Sequence, residues 1–504
     1  MSQIKKGALL NYTTIVLTNV VSLLLTPFII QKVGDAEYGI YIAIGALVGS
    51  ISVLDFGLNN TVIRFVAKYQ AEKNLTKERD FLGTVILLYI GISSIILIVG
   101  SVFYYNIDTY YSKMSPSEIE IAEIMSLILI FNLAIKLPGG VFMGICSGYE
   151  QFVFPKTLNI IRYIIRSAMV VGVLLLGGKA IAIVIIDTLM NIIVIGASAY
   201  YVIKKLKVRF TFNAFQLSFI KHILGYSVWI FIFSLVGMFQ WKAGHIVLGA
   251  LVKPEVLAIY GIGIMLGTYY GAFSTAISSV FLPRAAKMSV GKASGEELTT
   301  MMIKVGRLSF IVLLYILIAF VLFGKQFINL WVGSNYYDSW IIAVMIMVAY
   351  TVPLVQGFGN SILEAKNKIS FKAVLYLSFM LLGTGAGAYL AKSYGAIGMI
   401  TGSMIGWIIV QNIMNVYYQK VIGLNIIRFF KGLFSKLIIV GVLVSIIGYF
   451  INYIPGAGWL NFGLKGILFS MAYAVLIFSL GMYESEKKLF TDGFNSVYLK
   501  FKKA

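Results

Sequence analysis

Apolar runs of about 20 residues recur along the whole chain, and each is long enough to cross the ~30 Å hydrocarbon core of a bilayer as a helix. Of the 504 residues, 59% are hydrophobic and only 12% are charged, and the mean hydropathy is +0.90. A soluble domain carries about 25% charged residues. The sequence therefore predicts an all-α polytopic membrane protein, since every backbone polar group in lipid must be paired within its own segment.

About 14 transmembrane helices are expected from these runs. The first run is too long for a cleavable signal peptide, and a second span follows it directly. The predicted spans are 8–31, 38–62, 81–105, 119–145, 155–177, 179–203, 221–251, 254–282, 303–324, 338–363, 369–391, 395–419, 432–453 and 459–482.

Basic residues alternate between the two sides of these spans. Alternate tails and loops hold clusters such as Arg64 to Arg79, Lys204 to Arg209 and Lys366 to Lys372. The intervening loops hold mostly one lysine each: Lys32, Lys113, Lys179, Lys253, Lys325 and Lys392. The positive-inside rule then predicts an even number of spans with both termini cytoplasmic. The net charge of +21 is thereby explained as a topology signal, and no nucleic-acid partner is expected.

The residues of common enzyme and metal sites are scarce. Cys146 is the single cysteine, which excludes an internal disulfide and a cysteine-based metal site, and His222 and His245 are the only histidines. No HExxH, Walker A or paired CxxC motif occurs. We therefore expect no catalytic residues, no bound metal or cofactor, and no ATP hydrolysis by this chain.

An internal repeat divides the predicted spans into two sets of six. Glu37-Tyr-Gly-Ile-Tyr41 resembles Glu255 to Tyr260, and Leu137-Pro138 resembles Val352-Pro353, at offsets of about 215 to 220 residues. The repeat predicts an N-terminal lobe (1–210), a C-terminal lobe (211–425) and a terminal part (426–504) with helices 13 and 14 and a cytoplasmic tail. Repeats of this kind favour a binding site between two lobes and alternating access.

Two stretches near the N-terminus carry a family resemblance. Leu25 to Tyr41 reads LTPFIIQKVGDAEYGIY, and Leu54-Asp-Phe-Gly-Leu58 is followed by Arg64-Phe-Val-Ala-Lys-Tyr69. These segments resemble the Wzx-type polysaccharide flippases, which export O-antigen, capsule or exopolysaccharide repeat units. That family belongs to the multidrug/oligosaccharidyl-lipid/polysaccharide exporter superfamily.

The resemblance implies a fold and a substrate. The expected fold is two six-helix lobes in a V shape like that of MATE and MurJ transporters, and the added C-terminal helix pair favours a lipid-linked substrate. The expected function is to flip undecaprenyl-pyrophosphate-linked oligosaccharide from the inner to the outer leaflet of a bacterial plasma membrane. Polysaccharide polymerase machinery is an expected partner. The driving force is expected from a Na⁺ or H⁺ gradient or the membrane potential.

Ionisable side chains deep in a membrane are costly, by about 2.5–3.5 kcal/mol on insertion scales, so each is a candidate site residue. Lys242 and His245 share one face of predicted span 7, with Gln240 beside them. Because the resemblance places span 7 on the cleft between the lobes, Lys242 is the first candidate for binding the pyrophosphate group of the substrate. The alternatives are a lysine that snorkels to the interface and a histidine that is hydrogen-bonded in the core.

Two arginines share a face of span 5. Arg162 and Arg166 are four residues apart and repel each other unless an anion or a carboxylate lies between them. They either bind the substrate anion or pair with Asp187 on span 6. Lys136, near the end of span 4, is assigned to the membrane interface.

Span 2 carries an acidic residue and several amides. Asp55 is a candidate for ion coupling, as is Asp187, although Asp55 could instead pair with Arg64. Asn59 and Asn60 suit sugar hydroxyls or contacts between helices. Arg64 and Arg284 lie at matching positions of the repeat. They could make the first contact with the substrate pyrophosphate at the cytoplasmic rim, or serve only as the basic residues that set the membrane topology. Pro27 in span 1 removes a helix hydrogen bond and is predicted to be a hinge.

Three alternatives compete with a polysaccharide flippase. An ion-coupled multidrug or organic-cation antiporter would need acidic residues in its pocket, whereas the buried charges here are mainly basic. A membrane glycosyltransferase or polymerase would need catalytic acids or a large outward loop. A flippase for the peptidoglycan lipid precursor cannot be separated from a polysaccharide flippase by composition.

Overall fold

The protein is described by a computed structural model that covers residues 3–212, 228, 231–291, 293–366 and 368–488. Over these ranges every regular element is helical. The α-helices are α1 (Gln3–Val33), α2 (Asp35–Ile51), α3 (Leu58–Ala71), α4 (Leu75–Tyr104), α5 (Ile107–Tyr110), α6 (Pro116–Gly148), α7 (Val153–Leu175), α8 (Ala180–Tyr200), α9 (Phe231–Trp241), α10 (Ala243–Leu251), α11 (Pro254–Val290), α12 (Gly295–Trp331), α13 (Tyr337–Val355), α14 (Gly357–Ala365), α15 (Ile369–Tyr417), α16 (Ile426–Phe434), α17 (Leu437–Asn452) and α18 (Gly458–Leu476).

The membrane-crossing segments agree with the predicted spans. In the described part of the chain, 12 helical segments are long and apolar enough to cross a membrane, and the bent pair α9 and α10 makes a thirteenth. The longest segment, Ile369–Ile422, contains two predicted spans. Its backbone is non-helical at Gly395, with φ 52° and ψ −132°, and Gly383 packs against the backbone of Gly402 and Gly406. The segment is therefore a hairpin of two spans, and the predicted all-α fold of about 14 spans is confirmed.

Two predicted spans are broken rather than continuous. Predicted span 38–62 is interrupted after α2 by a 3-10 turn, Ser52–Asp55, and by the left-handed residues Phe56 and Gly57. Predicted span 221–251 has most of its residues before 231 outside the described ranges. Its remainder bends by 44° at Lys242, between α9 and α10. Non-helical backbone at membrane depth is tolerated only where protein or a cavity covers it, so these breaks are expected near functional sites.

Internal packing divides the chain into two compact units. Unit 1 comprises Met1–Gly261 and Thr384–Met399, and unit 2 comprises Ile262–Gly383 and Ile400–Ala504. The predicted domains 1–210, 211–425 and 426–504 rest on the sequence repeat instead of on packing, and their boundaries stay predictions.

In unit 1 the long helix α6 contacts α2, α3, α4 and α8. One core cluster joins Val62 of α3, Val85 of α4 and Ile145 of α6, all fully buried. The start of α8 is hydrogen-bonded to α2, because Glu37 of α2 accepts hydrogen bonds from Lys179 Nζ (2.9 Å) and from the backbone N–H of Ala180 (3.3 Å). This hydrogen bond from the ammonium to the carboxylate raises the pKa of Lys179.

In unit 2, helix α12 is the central element and contacts α13, α14, α16, α17 and α18. Its buried Arg307 forms an ion pair with Glu486 through Nε–Oε1 (2.6 Å) and Nη2–Oε2 (3.0 Å). The same guanidinium donates to the carbonyls of Gly432, Ser435 and Gly481. Arg307 therefore fastens α16 and the segment after α18 to the middle of unit 2.

Candidate functional site

A polar cavity of about 390 Å³ lies inside unit 1, where the break in the second span meets α4, α6, α7 and α8. The helices that enclose it are apolar over most of their length, so its polar lining sets it apart from the core. Its lining residues are Ser52, Asp55, Asn59, Tyr89, Lys136, Leu137, Gly139, Gly140, Met143, Asn159, Arg162, Asn191, Val194, Ile195 and Ser198.

Two cations line this cavity, and neither forms an ion pair with a carboxylate of the described residues. Arg162 Nη1 donates to Asn191 Oδ1 at 3.3 Å, and no ion pair of Arg162 occurs among the described residues. Asn191 is itself oriented by Asn132, whose Oδ1 accepts from Asn191 Nδ2 at 2.5 Å. In the same described part of the chain, Lys136 forms neither a hydrogen bond nor an ion pair. Both cations lie in membrane-spanning helices, so their charge is left available for a ligand.

The neighbouring arginine is bound differently. One turn after Arg162 on α7, Arg166 makes a bidentate ion pair with Asp187 of α8 through Nε–Oδ1 (2.5 Å) and Nη2–Oδ2 (3.0 Å). This geometry is the strong form of an arginine–carboxylate contact. Arg166 and Asp187 therefore join α7 to α8, whereas Arg162 remains directed at the cavity.

The acidic side of the cavity is formed by the break in the second span. Asp55 is the last residue of the 3-10 turn, and its Oδ1 accepts a hydrogen bond from the Tyr89 hydroxyl at 2.7 Å. Asn59, in the first turn of α3, has a buried Oδ1 that lacks a hydrogen-bond partner within the described ranges. An unpaired buried acceptor costs free energy, and a ligand hydroxyl could satisfy it.

The candidates on predicted span 7 lie apart from this cavity's lining. Lys242 is the residue at the bend, and its Nζ donates to the backbone carbonyl of Gly49 at 2.8 Å. His245 is 7% exposed, packs edge-on against Tyr260, and has an unpaired Nδ1 as far as the described residues show. Gln240 lies in α9. Their predicted roles in substrate binding stay predictions.

The remaining candidates also lie outside the cavity lining. Asn60 and Arg64 are exposed on α3, and Arg284 is exposed on α11. Pro27 lies inside α1, where its hinge role stays a prediction. The structure thus brings together Asp55, Asn59 and Arg162 from the predicted set.

The lining residues that sequence reasoning missed include one lysine, two asparagines and one tyrosine. It assigned Lys136 to the membrane interface without placing its side chain in a cavity, and it did not single out Asn159, Asn191 or Tyr89. A signal was present for Lys136: glycines three and four residues later on α6, Gly139 and Gly140, leave space on the same helical face. Asn159 and Asn191 are polar residues within predicted spans 155–177 and 179–203, so the cost of polar groups at membrane depth was a signal for them too, whereas no comparable signal marks Tyr89.

The lining determines which ligand chemistry the cavity can accept. Two cations suit an anion, and asparagine amides suit hydroxyl groups, since they donate and accept hydrogen bonds. In the described part of the chain no group of three or more His, Cys, Asp and Glu side chains could hold a metal ion.

A second cavity, of about 610 Å³, lies within unit 2 and is apolar. It is enclosed by α11, α12, α13 and α18, and its walls include Phe273, Phe320, Phe327, Phe462 and Ile467. No charged side chain occurs among the described lining residues, and the lining suits a hydrocarbon chain.

Comparison with known proteins identifies relatives of this chain. Residues 4–289 match the family model described as polysaccharide biosynthesis protein. A putative O-antigen transporter of Shigella flexneri is 20% identical over 392 residues, which is 75% of this chain and 88% of that protein. The solved structure of the lipid II flippase MurJ in an inward closed conformation has a TM-score of 0.70 at 17% identity, covering 94% of this chain and 98% of that one. An inward-facing multidrug resistance MATE family transporter has a TM-score of 0.61 at 14% identity, covering 80% and 98%.

Proposed function

Because this chain belongs to the polysaccharide biosynthesis protein family and is a multi-pass membrane protein, we propose that it flips a lipid-linked oligosaccharide across the membrane. The proposed substrate is an oligosaccharide on undecaprenyl pyrophosphate, moved from the cytoplasmic to the outer leaflet of a bacterial plasma membrane by alternating access. Both termini are then cytoplasmic. The names of two similar proteins, an O-antigen transporter and a lipid II flippase, support a lipid-linked glycan as substrate.

The observation that carries this proposal is the pair of unpaired cations in the unit 1 cavity. A membrane protein that keeps Lys136 and Arg162 at membrane depth bears an insertion cost of about 2.5–3.5 kcal/mol for each. Arg166, one turn away, has this cost offset by Asp187. Lys136 and Arg162 form no such ion pair within the described ranges, and the described lining holds one carboxylate, Asp55, against these two cations, so the excess positive charge favours an incoming anion. A pyrophosphate offers several oxygens to an ammonium and a guanidinium together.

The amides around the cations support a sugar-bearing ligand. Asn59, Asn159 and Asn191 line the same cavity, and each amide group can donate to one hydroxyl and accept from another. An inorganic anion could accept hydrogen bonds from these amides but could not donate to their oxygens, whereas a sugar hydroxyl can do both. A cationic drug would be repelled by Lys136 and Arg162, which disfavours organic-cation antiport at this site.

Transport by cavity variants tests the proposal. In proteoliposomes that contain a labelled undecaprenyl-pyrophosphate oligosaccharide, we expect wild-type protein to expose the glycan to an external lectin. The variants Lys136→Gln and Arg162→Gln should each lower the initial rate by roughly tenfold or more, since a hydrogen bond to a charged group contributes about 1.5–3 kcal/mol.

Two further variants decide what a loss of transport means. Lys156→Gln removes a charge from the same helix as Arg162 outside the cavity lining and should transport at the wild-type rate. Lys242→Gln tests the site predicted at the bend. Normal transport by both cavity variants together with a loss in Lys242→Gln would move the pyrophosphate site to Lys242. No transport by wild type with any glycan would overturn the flippase proposal.

We also propose that Asp55 carries the coupling ion, because it is the only carboxylate among the described residues that line the cavity, and its hydrogen bond from Tyr89 holds it at the cavity wall. With an imposed H⁺ or Na⁺ gradient, wild-type flipping should accelerate. Asp55→Asn should still flip the glycan slowly and should not respond to either gradient. The matched variant Tyr89→Phe keeps the carboxylate and should retain the response. A gradient response in Asp55→Asn equal to that of wild type would assign coupling elsewhere.

A further inference from the structure

The short helix α16 of unit 2 has two chemically different faces. Ile426, Phe429 and Leu433 are buried, at the spacing of one helical face. On the other side, Ile427 is 62% exposed and the side chain of Arg428 is 44% exposed, and Lys431 is exposed as well. Arg428 and Lys431 are three residues apart and so lie on one face. The helix is therefore amphipathic, with basic and apolar side chains on its outer surface.

The helix is held in place at both ends. At its start, the Asn425 side chain accepts the backbone N–H of Arg428 (2.9 Å), and the Asn425 N–H donates to Thr299 Oγ1 of α12 (2.9 Å). At its end, Arg307 Nη1 donates to the carbonyls of Gly432 (3.1 Å) and Ser435 (2.8 Å). The outer side chains of α16 are thus presented from a fixed backbone, which lowers the entropy cost of binding a ligand.

A cavity of about 430 Å³ opens beside the two basic side chains. It is lined by Ile303 of α12 and by Asn425, Ile427, Arg428, Lys431 and Gly432. Its two cations are weakly engaged. Arg428 donates to Thr300 Oγ1 (3.2 Å), and it lies 4.0 Å from the carboxylate of Glu296, whose side chain is 85% exposed. Such an exposed contact contributes little. Lys431 makes no hydrogen bond or ion pair with any residue of the described ranges.

We propose that this cavity binds the phosphate of an anionic phospholipid headgroup. Arg428 and Lys431 would flank the phosphodiester, and Ile303 and Ile427 would contact the glycerol and the first acyl carbons. Charge complementarity supports an anion, and the apolar residues in the same cavity support a lipid over a soluble phosphate. The position supports it too, because α16 follows one membrane-crossing segment, which ends at Ile422, and forms the first turns of the next, Ile426–Asn452. This site is separate from the proposed transport site in unit 1.

Lipid binding by the whole protein tests the inference. Detergent-purified wild type would be titrated with phosphatidylglycerol or phosphatidylcholine, and bound lipid counted by native mass spectrometry. We expect a preference for phosphatidylglycerol that falls roughly 30-fold in Arg428→Gln/Lys431→Gln, since each basic residue near an anionic headgroup contributes about fivefold in affinity. The control Lys204→Gln/Lys205→Gln removes two exposed charges at the end of α8 and should bind like wild type.

Three other results would each contradict the proposed lipid site. Equal phosphatidylglycerol binding by the wild type and by Arg428→Gln/Lys431→Gln would remove the site. An equal loss in the Lys204/Lys205 control would show that only total charge matters. Glycerol 3-phosphate that competes as strongly as the lipid would make this a soluble-phosphate site. An unchanged thermal midpoint verifies that each variant is folded. Because the readout is binding and not flipping, the result is independent of the proposed transport function.

Discussion

Replacing Arg307 by methionine is expected to destabilise the protein by about 3–5 kcal/mol, the range for removing one partner of a buried ion pair. The side chains of Arg307 and Glu486 are 1% and 3% exposed, so the variant leaves a carboxylate buried without its cation. It also deprives the carbonyls of Gly432, Ser435 and Gly481 of their donor. The ring of Tyr483, 4.2 Å from the guanidinium, loses its cation–π contact.

The measurement is the free energy of unfolding of the purified protein in detergent. Lys487→Met is the matched control, because it breaks an ion pair whose carboxylate partner, Glu484, is 83% exposed, and it should change stability by less than about 1 kcal/mol. The double variant Arg307→Met/Glu486→Met should recover part of the loss, since no buried charge is left alone. If Arg307→Met is as stable as the control, Arg307 does not anchor α16 and the C-terminal segment.

Replacing Gly39 by alanine is the second change with a large expected effect. A Cβ at position 39 of α2 would lie 1.8 Å from the backbone oxygen of Pro254 and 2.4 Å from its carbonyl carbon. Backbone atoms cannot rotate away as a side chain can, so the start of α11 would have to move. Overpacking of this kind costs typically 1–3 kcal/mol. We expect a clear fall in the thermal midpoint of Gly39→Ala.

A glycine on the same helix provides a matched control, for which replacement by alanine is expected to increase stability. Gly45 is exposed on α2 and has no atom within 4 Å of the Cβ that alanine would add. Gly45→Ala should raise stability by about 0.5–1 kcal/mol, because alanine loses less backbone entropy in a helix than glycine does. Similar midpoints for the two variants would contradict the close approach of α2 to Pro254.

Several features of this protein could be predicted from the sequence because they depend on local patterns. A span needs about 20 consecutive apolar residues, whatever its neighbours are, so the spans were predictable one by one. The hairpin at Gly395 was also predicted as two spans, 369–391 and 395–419, and the backbone of α15 is non-helical between them, at Gly395. Asp55, Asn59 and Arg162 stood out because polar residues at membrane depth are costly wherever they occur.

The sequence did not determine which side chains these residues contact. Arg162 and Arg166 are one turn apart on α7, and the sequence left open which of them pairs with Asp187; the packing of α7 on α8 decides that Arg166 does. Asn191, like Asn59, is a polar residue within a predicted span, but the sequence does not show that the two face one cavity, and Tyr89 carries no distinguishing pattern. They line the cavity because four helices and a broken span meet there.

The sequence by itself therefore determined the class of protein, the spans and most of the charged candidates, since hydrophobic length and buried charge are properties of short segments. Only the tertiary structure decided which charges remain available. In the tertiary structure Arg166 forms an ion pair with Asp187, and Lys136 lines a cavity. Arg307 pairs with Glu486, which lies 179 residues later in the sequence. The physical reason is that a hydrogen bond or a close ion pair needs its two polar atoms about 3 Å apart. Only the packing of helices brings residues that are distant in the sequence to that separation.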